Sequence, residues 1–365
     1  MAAAAAKVME LPWCQSMVPK ELETWYHKNI ADGTTDFGKD CRSAINKVVK
    51  SVQNICSTNR LQFTLSRVVK GGSLGKGTML KDFSDVDLVA FIKPPRLRSF
   101  LDLGPAPAVY IQQLDGIIRE LEAALKQLPF VEGINRNVFM INFTINNLGP
   151  GGRSLGVDLL PTANCGCGHG RAHADIFRAM LALPSSYDRK FFSASLVEHQ
   201  LRFMEQIPGH VKALIRLVKY WAYKCLPDKL HKSYPLELIT IYRWKNAGEP
   251  QRISKAQGLK DVLQVLSNLR GLRHYWTFLY DAALAIQAIT QLGCVNPIVL
   301  DPANPTKNVC EVYKEGNNIK TIEDAAHDTL KSNLLKDVVV SANWTICRPT
   351  PTPGKATKNK KNKKK

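Results

Sequence analysis

Long apolar runs are missing from this sequence. No stretch approaches the roughly 18 residues that a membrane-spanning helix needs, so no membrane partner is expected. The first residues, an alanine run to Ala6 followed by Lys7 and Glu10, lack the charged and apolar regions of a secretory signal. A disulfide framework is also lacking. The nine cysteines are odd in number and scattered, which suits a reducing, cytoplasmic compartment. Carboxylates are scarce, 31 against 50 lysines and arginines, and the formal charge is +19. The seven lysines of the tail Lys355–Lys365 account for only part of that excess, so the body is basic too and a polyanionic partner is expected, nucleic acid first. A Walker P-loop is absent as well, because Lys76 is followed by Gly77 rather than by Ser or Thr.

What is present centres on Gly71-Gly72-Ser73-Leu74-Gly75-Lys76-Gly77-Thr78, followed by Ser84-Asp85-Val86-Asp87-Leu88. Arg67-Val68-Val69 reads as a strand entering the glycine turn. Gly71 and Gly72 permit positive φ and close approach of backbone to a ligand, and the turn amides and Ser73 can donate to phosphate. Asp85 to Ile92 reads as a buried strand, in which residues i and i+2 share a face. Asp85 and Asp87 would then project together, about 6–7 Å apart. Two such carboxylates repel unless a cation lies between them, and Mg²⁺ with substrate phosphates is the usual solution. Asp158, in Gly156-Val157-Asp158-Leu159-Leu160-Pro161, repeats the pattern of one carboxylate in an apolar strand and is the candidate third ligand.

The first 60 residues read as helical, with Trp25 as a core anchor. Further expectations are strands near 62–69, 86–92 and Asn137–Asn146, and a helix over Tyr110–Leu128. From Ala174 the pattern is mainly helical. Val211–Lys224 carries the apolar stripe Val211, Leu214, Ile215, Val218 and Trp221, with Lys212, Arg216 and Lys219 together on another face. The fold class expected is α+β in two lobes. Residues 1–160 would form an N-lobe whose twisted sheet carries the carboxylates, 161–347 a helical C-lobe, and 348–365 a disordered Pro/Lys-rich tail. That tail leaves open a nuclear localisation signal, a nonspecific RNA grip or a solvating extension.

These segments together resemble the 2′-5′-oligoadenylate synthetases. The blocks run in order from Val68-Val69-Lys70-Gly71-Gly72-Ser73 through Val157-Asp158-Leu159-Leu160-Pro161, Leu214–Trp221, Tyr234-Pro235-Leu236-Glu237-Leu238 and Ala256-Gln257-Gly258 to Val299–Thr306. The resemblance implies the nucleotidyltransferase fold and polymerisation of ATP into 2′-5′-linked oligoadenylate with release of pyrophosphate. It further implies two Mg²⁺ ions on the catalytic carboxylates Asp85, Asp87 and Asp158. Gly72, Ser73 and Lys76 would contact donor phosphates, Arg216 and Lys219 would bind the triphosphate, and Tyr234 would stack on the donor adenine. Double-stranded RNA is the family's activator, and Ser66 and Lys70 match RNA-contacting positions. Leu201, Glu205 and His210 stand where relatives carry basic residues, which puts RNA dependence in question. Arg202, Lys212 and Lys50 are candidates to compensate.

The oligomerisation motif of some members is absent near Asn333-Leu334-Leu335-Lys336, so the oligomeric state is left open. Cys165, Cys167, His169 and His173 include zinc-competent residues, but the tight C-x-C spacing favours a glycine-rich loop. Two other readings stay open: a catalytically silent RNA-binding sensor on the same fold, and a transferase making 3′-5′ or cyclic products.

Overall fold

The β-branched segment before the glycine run does form a strand, and it stands at the edge of the sheet that carries the site. The computed structural model describes residues 11–14, 16–31, 34–57, 61–80, 86–99, 107–148, 153–164, 172–183 and 185–344. A 3-10 turn (Pro12–Cys14) leads to helix α1 (Glu21–Tyr26), where Trp25 packs edge-on against Tyr220 at 5.5 Å. Helix α2 (Thr34–Ser57) buries Cys41, Ile45, Val48 and Val52 at helical spacing and leaves Arg42, Asn46 and Lys50 exposed.

Strand β1 (Leu65–Lys70), the one-turn helix α3 (Gly72–Lys76) and strand β2 (Val86–Ile92) follow. Helix α4 (Pro107–Leu125) covers the sheet with Leu114, Ile117, Ile118, Leu121 and Leu125, the residues that its sequence period selects. Strands β3 (Val131–Arg136), β4 (Ile141–Leu148) and β5 (Arg153–Ala163) complete the sheet, in the order β1-β2-β5-β4-β3. β2 and β5 run parallel and the other neighbours antiparallel.

Two expectations need adjustment. The strand expected from Asn137 begins at Ile141, because the Asn137 side chain closes a turn by accepting the N–H groups of Phe139 (2.8 Å) and Met140 (3.1 Å). β3 was not anticipated. It is a largely exposed edge strand of Glu132, Asn135 and Arg136 with no apolar alternation.

The two sheet faces are distinct. Leu88, Ala90, Ile92, Ile141, Phe143, Val157 and Leu159 belong to the main core. Val89, Phe91, Val69 and Leu160 face Val197 and Leu201 of the helical lobe. Asp87 precedes Val89 by two residues and Asp158 precedes Leu160 by two, so both carboxylates continue this second face.

The helical lobe comprises α5 (Ala172–Ala182), α6 (Ser186–Lys190), α7 (Val197–Glu205), α8 (Gly209–Cys225), α9 (Ser233–Asn246), α10 (Lys255–Leu266), α11 (Ala282–Gln291) and α12 (Asn318–Leu330). A small sheet of β6 (Arg273–His274), β7 (Ile298–Asp301) and β8 (Asn304–Asn308) closes it. α8 buries its expected stripe and also Leu217, Lys219, Tyr220 and Ala222. It is therefore a central helix rather than an amphipathic surface one. The architecture is α+β in two lobes, as expected. Among the described residues no helix is long and apolar enough to cross a membrane.

Candidate functional site

The site is built around the glycine run. Gly71 N–H donates to the Asp87 carbonyl (2.7 Å), which ties the run to β2. Gly72 has φ +55°, and a Cβ placed there would lie 1.8 Å from Asp87 Oδ2. Only glycine fits, because the Asp87 carboxylate occupies the space of a side chain. The run is not an open loop. It winds one helical turn, which Gly77 ends in the left-handed conformation (φ +72°).

Asp87 and Asp158 are direct register partners on the parallel strands β2 and β5. Asn142 faces Asp158 from β4, and its amide Nδ2 donates to Asp158 Oδ1. A row Asp87–Asp158–Asn142 thus crosses three strands, spaced about 4.8 Å apart. Asn142 was not singled out from the sequence, since only the register between strands places it here. Asp85 lies outside the described residues, and β2 begins at Val86 rather than at Asp85. Among the described residues no group of three or more His, Cys, Asp or Glu could hold a metal ion. The two in-register carboxylates are nonetheless hard oxygen donors on one face, the donor set that a divalent cation such as Mg²⁺ prefers.

Basic side chains gather at the other end of the run. Lys219 Nζ donates to Ser73 Oγ (2.8 Å) and to the Thr78 carbonyl (3.0 Å), and lies 3.4 Å from Glu237 Oε1. Arg216 donates to the carbonyls of Gly77 (2.7 Å) and Met79 (3.2 Å). Lys76, buried, ion-pairs with Glu237 Oε2 at 3.0 Å and sits 3.9 Å from the centroid of the Tyr234 ring. Thr78 Oγ1 donates to Glu237 at 2.6 Å. Burial opposes ionisation of Glu237, and Lys76 and Lys219 overcome it, holding the carboxyl below its usual value. Burial lowers the Lys219 ammonium, with Glu237 opposing. Three cations against one carboxylate leave the cluster short of negative charge, as a polyphosphate site requires.

The Tyr234 hydroxyl donates to Asp301 Oδ1 at 3.0 Å, and burial followed by the Asp301 charge raises its pKa well above the usual value. Lys307 lies 6.0 Å from the same ring. Gly72, Ser73, Lys76, Arg216, Lys219 and Tyr234 are therefore brought together around the run. Glu237, Thr78 and Asp301 join them unannounced, although Glu237 in the apolar run Leu236–Ile239 carries the same signal as Asp158.

Ser66 and Lys70 lie elsewhere, on the sheet face toward α2. Ser66 is exposed, and Lys70 Nζ donates to Asn46 (2.7 Å), its pKa lowered by burial and by Arg42. Glu205 is exposed, and His210 Nε2 pairs with the Pro250 carbonyl at 3.0 Å. Cys165, Cys167 and His169 lie outside the described residues, as does the lysine tail, and His173 falls at the start of α5.

Comparison with known proteins agrees with this geometry. The nucleotidyltransferase domain model matches residues 49–141, and the model for domain 2, the C-terminus, of 2′-5′-oligoadenylate synthetase 1 matches residues 171–348. The E. coli MS115-1 CdnC structure with ATP aligns at TM-score 0.57 and 21% identity, covering 86% of this chain and 90% of that one. Fold and site therefore define a nucleotidyltransferase. The Mus musculus 2′-5′-oligoadenylate synthase 1A is 33% identical over 349 residues, 87% of this chain and 90% of that relative. The Rattus norvegicus inactive 2′-5′-oligoadenylate synthase 1B is 30% identical over 329 residues, 83% and 82% of the two. The chain belongs to the 2′-5′-oligoadenylate synthase family and is an enzyme of that type.

Proposed function

We propose that this chain polymerises ATP into 2′-5′-linked oligoadenylate with release of pyrophosphate. The observation that carries the reading is the in-register pair Asp87–Asp158 beside the Gly72 turn. Asp87 and Asp158, with Asp85, would hold two Mg²⁺ ions, which when bound activate an acceptor hydroxyl and neutralise charge on the leaving pyrophosphate. Asn142 fixes the Asp158 carboxylate, Ser73 and the run's amides orient donor phosphates, and Lys76, Arg216 and Lys219 balance the triphosphate charge. Tyr234 stacks on the donor adenine, at the ring that Lys76 and Lys307 flank.

We further propose that double-stranded RNA activates the enzyme through the basic face of Arg42, Asn46, Lys50, Ser66 and Lys70. α7 contributes little, since Glu205 is exposed there and repels phosphate. A cytoplasmic setting suits this reading.

The test is ATP turnover with Mg²⁺ by nuclease-treated protein, with and without duplex RNA, followed by linkage mapping. 2′-5′ product only with RNA supports both proposals. The same product without RNA removes the RNA requirement. 3′-5′ or cyclic product overturns the linkage. Asp158→Ala should abolish turnover with melting unchanged, and unaltered activity would overturn the metal assignment. A chain inert under every condition would overturn the proposal.

A further inference from the structure

We propose that Asp301 is a positioning residue for the Tyr234 ring and that, through Gln200, it couples helix α7 to nucleotide affinity. The proposal rests on the reading of Tyr234 as the ring that stacks on the nucleobase.

Asp301 ends β7 and is completely buried. A buried carboxylate persists only where donors replace water. Three neutral donors reach it: Tyr234 Oη (3.0 Å) and the Ala303 N–H (2.8 Å) on Oδ1, and Gln200 Nε2 (2.9 Å) on Oδ2. The Ala303 bond pins the carboxylate to the β7–β8 turn, so its position is set by the helical lobe. From there it fixes the far end of the Tyr234 ring, whose face meets the Lys76 ammonium.

Gln200 brings α7 into the same chain. Val197, Gln200 and Leu201 fall at i, i+3 and i+4, on one face of that helix. The other two residues of the face abut the glycine run: a Cβ on Gly71 would meet Val197 Cγ2 at 3.2 Å, and one on Gly75 would meet Leu201 Cδ2 at 3.0 Å. The outer side of α7 is tied to β1 by Glu198, which accepts Arg67 Nε (2.7 Å) and Nη2 (2.8 Å). One helix face therefore touches the phosphate turn through two apolar side chains and the base-stacking ring through Gln200 and Asp301. A displacement of α7 is felt at both ends of the nucleotide together.

The test measures binding of α,β-methylene-ATP together with KM and kcat for ATP in Tyr234→Phe, Asp301→Asn, Gln200→Leu and Tyr234→Ala. Melting curves for each variant confirm folding. Tyr234→Phe and Asp301→Asn should each weaken analogue binding by about threefold to tenfold, the range of one hydrogen bond. kcat should stay within about twofold, a split that general loosening of the fold does not give. Tyr234→Phe combined with Asp301→Asn should bind no worse than Tyr234→Phe alone, since Tyr234→Phe already deletes the bond that Asp301→Asn weakens by removing the acceptor's charge. Gln200→Leu should weaken binding by about threefold. Parent-like binding in Tyr234→Phe and Asp301→Asn, with binding lost in Tyr234→Ala, would overturn the positioning role and leave the stacking reading intact. Parent-like binding in Tyr234→Ala would overturn the stacking reading and the proposal with it. An unaffected Gln200→Leu would remove the tie to α7. Tyr234→Phe keeps the carboxylate in place, so it decides the matter even where Asp301→Asn fails to fold.

Discussion

Glu237→Gln isolates the electrostatics of the site from its packing. The side chain keeps its volume and can still accept from Thr78, so the change removes one negative charge and little else. Glu237 is wholly buried between Lys76 and Lys219, which are 8% and 5% exposed. Removing one partner of a buried ion pair leaves an uncompensated charge and costs about 3–5 kcal/mol. Urea unfolding without nucleotide should show that loss as a lower midpoint with an unchanged slope. Adding Lys76→Met should return part of it, because it removes one of the two buried ammonium groups left without their carboxylate. Nucleotide supplies a second check. A triphosphate brings the negative charge that the variant lacks, so α,β-methylene-ATP should raise its midpoint more than the parent's. The pH dependence has a defined sign. Lys76 and Lys219 hold the folded carboxyl of Glu237 below its usual value, so its contribution is present at neutral pH and is lost as pH falls through the folded value. The acid limb of the stability curve should therefore be flatter in Glu237→Gln. A variant within about 0.5 kcal/mol of the parent, the scale of an exposed pair, would refute the claim that Glu237 is the counter-ion of both lysines.

Gly72→Ala should cut turnover by about 100-fold or more, since the new Cβ falls on Asp87 Oδ2 and moves the carboxylate; near-parental kcat would show that Asp87 tolerates displacement. His274, stacked on Tyr242 at 3.8 Å, has its pKa pushed down by burial to about 4. An unfolded imidazole near 6.5 takes up protons first, so stability should fall by up to about 3 kcal/mol as pH drops from 6.5 toward 4. His274→Phe should flatten that slope in pH-resolved melting. Glu205→Lys should tighten duplex RNA binding and steepen its salt dependence by about one unit of log–log slope; an unchanged slope would place α7 away from the RNA.

Much of the fold was legible because hydrophobic period reports burial directly. β2 was read to within one residue, and every residue of the expected α8 stripe is buried, although Leu217, Lys219, Tyr220 and Ala222 are buried with it. The candidate carboxylates were legible for a related reason: Asp87 and Asp158 interrupt apolar strands, where a lone charge has a cost that must be offset. β3 was invisible because an exposed edge strand has no face to alternate. Asn142 was invisible because its role depends on register with β5, and an asparagine in a strand carries no signal of its own. Gln200 and Asp301 meet across 101 positions of chain, a distance no local pattern spans. The basic face of α8 showed which residues share a side but not their burial: Lys219 is buried and donates to Ser73, Thr78 and Glu237.

Two of the buried carboxylates of the helical lobe, Glu237 and Asp301, differ in a way that accounts for how the site is divided. Glu237 is matched by ammonium groups, so its neighbourhood responds to any anion that competes for them. Asp301 is held by neutral donors of fixed geometry, so its neighbourhood responds to position rather than to charge. Tyr234 lies between the two, with Lys76 at its ring face and Asp301 at its hydroxyl. A triphosphate drawing Lys76 away from Glu237 would change what lies over the ring while Asp301 keeps the ring in place. On the proposed reading, phosphate binding and base binding meet at one side chain, so a substrate that carries only one of the two groups would forgo the coupling between them.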